Sequence, residues 1–284
     1  MQRKLIQLSP STAVVSLPAS WIKKNKLTKG KSISLEEQEN NLIISASSKK
    51  TEKDITVNVK EFSDKLIWRY FDALYIAGYD NIMLLTRDSK QSALIGTIIK
   101  YFPGLIIEEE RKNVVRILDI ADVPSESFDK MLTRIFHITI TILEDSIEAI
   151  KSKDFDALNA MKKRDYHINS YASYCLRQLN KFGYTIQSKT SILHTYIKLL
   201  EMMADNICLY LSSISLSKTN KIKEILAISG LYKQTFSLHY NYNEKTLFSI
   251  ALDSDNILNS KDIYLSTIAK LFFDMLETEM QLRV

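Results

Sequence analysis

Glycine and proline are scarce in this chain, with six and four among 284 residues. That scarcity argues against a loop-rich or all-β protein and in favour of long helices. Cysteine is scarcer still: Cys175 and Cys208 stand far apart with no CxxC spacing. A disulfide framework or zinc site is thereby disfavoured, and a reducing cytoplasm is the expected location. No stretch approaches about 20 uninterrupted apolar residues, and the N-terminus has no apolar leader core, so neither membrane insertion nor a signal peptide is expected. The four histidines, His137, His167, His194 and His239, are scattered. His194 shares a helical face with Glu201, seven residues on, although a histidine satisfied by its surroundings accounts for that equally well. With no HExxH, GxSxG or phosphate-binding loop, no reaction can be assigned and a non-enzymatic role is expected.

What is present is an ordinary globular composition, 45% hydrophobic and 25% charged, long enough for two or three domains. The first 47 residues predict a small β-β-α-β-β unit. Strands are expected at 4–8 and 13–17 around the turn Ser9-Pro10-Ser11-Thr12, then a helix at 19–26 opened by Pro18, whose fixed φ suits a first helical turn. Strands at 32–35 and 42–45 follow a turn at Thr28-Lys29-Gly30-Lys31. So few residues seldom bury enough surface to fold alone, which points to a second copy as partner. Residues 47–54, rich in Ser, Lys and Glu, read as a linker.

Charge is concentrated at the same end. Residues 1–60 hold 11 basic and 5 acidic side chains, whereas the remainder holds 27 and 28. A cationic module on a neutral body is the pattern of a protein that meets a polyanion, though lysines also serve solubility. Arg3, Lys4, Lys23, Lys24 and Lys26 are the candidate DNA-phosphate contacts, which position a protein without specifying sequence. Trp21 reads as a core anchor of the small module rather than a base-stacking residue.

The run Lys4-Leu-Ile-Gln-Leu, Val14-Val-Ser-Leu-Pro18-Ala-Ser-Trp21-Ile-Lys and Leu27-Thr-Lys-Gly30-Lys resembles the swapped-hairpin DNA-binding domains of the AbrB/SpoVT type. It is most similar to the variant at the N-terminus of archaeal PhoU-like regulators. The resemblance implies two chains interlacing their hairpins into one barrel with a basic face on DNA. The first loop, Ser-Pro-Ser-Thr, lacks the glycine often found there, which puts the details of its DNA contacts in doubt.

Residues 55–122 predict an α/β middle region: helices at 61–76, stopped by Gly78, and at 89–101, strands at 82–85, 105–109 and 114–118. A connector is the simplest reading, a dimerising or ligand-sensing spacer the other. From 124 onward the chain predicts helices at 126–151, 154–182, 189–216, 220–240, 243–256 and 261–281. Leu158, Met161, Ile168, Ala172, Cys175, Leu179 and Phe182 keep a bundle-seam spacing, as do Leu193, Ile197, Leu200, Ala204, Ile207, Leu211 and Ile214. Asp165 stands where the first seam calls for an apolar residue, with Asn169 one turn on. Glu201 and Asp205 are likewise i, i+4. Carboxylates against a core need a partner: a divalent cation of the Mg, Mn or Ca type, or a nearby Lys198 or Arg164.

Residues 149–169, with Asp154, Asp165 and Asn169, are similar to the first two helices of a PhoU repeat, and Glu201-Met-Met-Ala-Asp205 to its Glu-x-x-x-Asp motif. That resemblance implies three-helix bundles, a role in phosphate uptake, and a metal held by such carboxylates. Asn169 stands where the motif usually carries an aspartate, which weakens the metal reading. The first repeat would span 124–216, and a degenerate one, without a clear Glu-x-x-x-Asp pair, 220–284.

The expected fold class is α+β and mostly α: a dimeric swapped-hairpin barrel, a small α/β middle region and a helical bundle. The expected function is that of a homodimeric DNA-binding regulator of phosphate homeostasis. The alternative is a signalling adaptor that binds a phosphate transporter or sensor kinase and uses the barrel only to dimerise.

Overall fold

A computed structural model describes residues 2–38, 41–46, 52–121 and 127–284. The chain is α+β and 63% helical, and it divides into two compact units, residues 1–51 and 52–284.

In the first unit β1 (Ile6–Ser9) pairs antiparallel with β2 (Thr12–Val14). Pro18, in extended backbone, stands just before α1 (Ala19–Lys24), which starts where expected and ends two residues sooner. Lys23 and Lys24 fall in the last turn of α1, where cations suit the helix dipole. Gly30, at φ +85°, turns the chain toward β3 (Ser34–Gln38), which pairs with β4 (Asn41–Ser45). The two hairpins are separate two-stranded sheets, and no closed barrel forms among the described residues. Among the residues of this unit whose side chains are described, none is buried. Leu5, Leu8, Leu35 and Leu42 are 73, 66, 58 and 58% exposed. An isolated two-stranded hairpin is marginal in water, so these side chains require a cover that the unit itself does not supply.

The second unit begins with a strand the sequence reading missed, β5 (Asp54–Asn58), which replaces the end of the expected linker; residues 47–51 lie outside the described set. Its short apolar alternation, Ile55, Val57, is hidden among polar neighbours. Then follow α2 (Asp64–Ile76), β6 (Asn81–Leu85), α3 (Ser89–Ile98) continued by a 3₁₀ turn (Ile99–Tyr101), β7 (Leu105–Arg111) and β8 (Val114–Asp119). The sheet order is β5-β6-β8-β7, with β5 and β6 parallel and the other pairs antiparallel. Ser63 and Asp88 cap the two helices through the amides of Leu66 and Gln91. Gly78, at φ +81°, ends α2 as expected; a Cβ there would lie 2.6 Å from Lys181 Cγ. Ile67, Phe71, Tyr75, Ile82, Leu84, Val115 and Ile117 make this layer's core.

The helical part comprises α4 (Ser127–Ser152), α5 (Phe155–Ala160), a 3₁₀ turn (Met161–Arg164), α6 (Asp165–Phe182), α7 (Thr190–Ser217), α8 (Ile222–Tyr240), α9 (Glu244–Leu258) and α10 (Ile263–Gln281). One expected helix, 154–182, is thus broken by tighter winding just before Asp165. The seam residues of α7 are all buried; those of the preceding seam are too, except exposed Phe182. All seven helices share one apolar core. The last three do not stand apart as a second bundle, because α10 packs along α7 and α8 along α4. Residues 187–217 are long and apolar enough, by length and composition alone, to cross a membrane, yet here Leu193, Ile197, Leu200, Ile207 and Ile214 line that core.

The expected boundary at 122–124 separates two hydrophobic cores but not two units. From α6, Arg177, with its side chain 3% exposed, donates to Tyr75 O at 2.7 Å, Tyr79 O at 2.8 Å and Asp119 Oδ2 at 2.5 Å. Lys181 Nζ reaches Asp119 at 2.9 Å and also pairs with Asp80. The α/β layer is locked to the bundle by charge as well as by packing.

Candidate functional site

Lys23, Lys24 and Lys26 are gathered at the C-terminal end of α1, and all three are exposed, as are Arg3 and Lys4 before β1. Lys26 holds φ at +50°, and its carbonyl accepts from Lys31 Nζ at 3.2 Å. The five cations form no ion pair among the described residues. No described contact joins Arg3 and Lys4 to the α1 end. The described part of this unit carries seven basic residues and two acidic ones, so its surface potential is positive.

The carboxylates of α6 and α7 are brought together only in part. Asp165 faces Asp205, while Asn169 Nδ2 donates to Asp165 Oδ2 at 3.2 Å. Glu201 is paired within its own helix: Lys198 Nζ lies 2.6 Å from its Oε2, while Asp72 of α2 and Asp205 repel it. Arg164 pairs with Asp145 instead. Among the described residues no three His, Cys, Asp or Glu side chains converge as a metal site would require. Asp165, Glu201 and Asp205 lie near enough to repel one another, and Glu201 is paired with Lys198 one turn earlier on α7. His194 does not join Glu201; burial, then the charge of Lys198, lowers its proton affinity.

The pair responds to pH. Burial, followed by repulsion from Asp205, pushes the Asp165 carboxyl up to about 7. In an unfolded chain it titrates near about 3.9. Between those values the native state holds a proton that the unfolded state has lost, so this group's contribution to stability falls as pH rises. Asp165→Asn removes the repulsion and supplies a donor toward Asp205. Calorimetry should find it more stable than the parent at pH 8, by about 2–8 °C for a gain on the order of 1–2 kcal/mol, and nearly unchanged at pH 5.

Next to these carboxylates lies a cleft of about 440 Å³ between α2 and α6. The i, i+4, i+7 spacing of Lys65, Arg69 and Asp72 puts them on one face of α2, and Tyr166, Asn169, Ser170 and Ser173 do the same on α6. Ser173 Oγ donates to Asp72 Oδ1 at 2.7 Å across the joint. Three rings form a wall: Trp68 and Tyr101 have centroids 5.2 Å apart, Tyr101 and Tyr166 5.4 Å. Glu201 closes the floor from α7, its carboxyl raised by burial despite Lys198. The sequence reading found Glu201 and Asn169 but not the cleft, since its walls come from segments about 100 residues apart.

A second buried cluster also escaped it. Glu279, fully buried on α10, has its Oε1 2.5 Å from His239 Nδ1 and its Oε2 3.4 Å from Arg283. The His239 ring stacks on Tyr196 at 4.8 Å and 14°. An imidazole nitrogen and a guanidinium both answer this one buried carboxylate, a structural role that ties α10 to α8 and α7.

Comparison of the chain with protein-family models, with curated proteins and with solved structures found no match in any of the three.

Proposed function

We propose that this protein is a homodimeric DNA-binding regulator of phosphate homeostasis, with the N-terminal unit contacting the duplex and the helical unit receiving the signal. The observation that carries the reading is the N-terminal unit's want of a core: two hairpins with exposed leucines, joined to a second unit that has ample cores of its own. Interlacing with the hairpins of a second copy would cover those leucines and double the cationic surface. The resemblance of residues 4–31 to AbrB/SpoVT domains and of residues 149–205 to a PhoU repeat supports the same reading.

Two measurements test it. Sedimentation should give a dimer, and Leu8→Asp with Leu42→Asp should return it to monomer with the second unit still folded. Fluorescence anisotropy with a labelled duplex should show binding at low salt that weakens steeply as salt rises, since neutralised phosphates release counterions. A dimer that binds no duplex at low salt would sink the regulator reading and leave dimerisation as the unit's task, as in a signalling adaptor.

A further inference from the structure

The cleft between α2 and α6 has three zones of different chemistry. At its outer edge Lys65 and Arg69, one turn apart and exposed, have no ion-pair partner among the described residues. Cations left free at a concave mouth attract an anion, and a guanidinium beside an ammonium suits a phosphate group. Along the middle, Trp68, Tyr101 and Tyr166 offer ring faces that accept a flat heterocycle by stacking. Deeper in, the lining is rich in acceptors: the Asp72 and Glu201 carboxylates, with the Asn169 amide beside them.

A ligand that satisfies all three zones is donor-rich at one end, flat in the middle and anionic at the other. Inorganic phosphate would leave the wall and floor bare, and a free nucleobase would leave the cations unanswered. The volume, about 440 Å³, lies within the range of small-molecule sites. We propose that this cleft binds a purine nucleoside monophosphate, its phosphate on Lys65 and Arg69, its ring along Trp68 and Tyr166, and its hydroxyl or amino donors on Asp72, Glu201 and Asn169. That such a ligand is the input of the regulator rests on the reading above; the binding itself does not.

Calorimetric titration of the full chain with AMP, GMP, adenosine and inorganic phosphate tests the site. One of the two nucleotides should bind at least about tenfold more tightly than adenosine or phosphate. Lys65→Ala with Arg69→Ala, both at exposed positions, should weaken that nucleotide by about tenfold or more and leave adenosine unchanged. Tyr166→Ala should weaken nucleotide and adenosine alike. Lys23→Glu, Lys24→Glu and Lys26→Glu together should leave nucleotide binding intact, which separates the cleft from adventitious capture by the basic N-terminal unit. The proposal is overturned by an absence of heat with both nucleotides at millimolar concentration, by phosphate binding as tightly as AMP, or by loss of binding in that triple variant. Nucleotide binding in a protein that never binds DNA would uphold the site and remove only its regulatory role.

Discussion

The triple variant Lys23→Glu, Lys24→Glu, Lys26→Glu is expected to lose at least about 100-fold in duplex affinity near 100 mM salt while remaining a dimer. Each lysine placed on a phosphate contributes about one unit to the slope of log K against log salt, so a dimer that loses several shows a flatter dependence as well as a weaker complex. The three side chains sit at the end of α1, are exposed and form no ion pair among the described residues, so their reversal leaves packing untouched. Anisotropy titrations at several salt concentrations, paired with sedimentation, read both quantities. Unchanged DNA binding in the reversed dimer would move the contact surface elsewhere.

Arg177→Met is expected to destabilise the second unit severely, by about 3–5 kcal/mol. The guanidinium answers Asp119 and the carbonyls of Tyr75 and Tyr79 and lies 4.8 Å over the Tyr75 ring. Removing it leaves one buried and one half-buried carbonyl without that donor and asks Lys181 alone to neutralise Asp119 beside Asp80. For a unit of this size the loss corresponds to roughly 6–20 °C in Tm. Burial alone would raise the Asp119 carboxyl, but Arg177 and Lys181 outweigh it and hold the group below its ordinary value. Its stabilising contribution is therefore present above the ordinary carboxylate range and lost as pH falls through the depressed value. Arg177→Met should flatten that acid limb, and Arg177→Lys should fall between, since an ammonium keeps the charge without the fork. Thermal melts from pH 3 to 7 measure both effects.

Periodicity alone determined the seven-residue seam of α7, every member of which is buried, and placed most helix ends within two or three residues of their observed positions. Helical order is local: hydrogen bonds span four residues, and the apolar stripe is written in the same short window. Gly78 marked the end of α2 for the same reason, because a left-handed backbone is a property of one residue. The surplus of positive charge in the N-terminal unit and its shortage of apolar core were equally legible, since both follow from which side chains are present rather than from how they meet. Tertiary structure decided the rest. Strand β5 forms because β6 lies parallel beside it, and its few alternating residues carry too little signal without that neighbour. Asp165 meets Asp205 because α6 packs along α7, while Lys198 holds Glu201 within α7 itself. The cleft joins Trp68 and Arg69 to Tyr166 and Asn169, residues about 100 apart that become neighbours when α6 packs against α2. Contacts at such separation depend on how whole elements pack, which no local window of sequence contains.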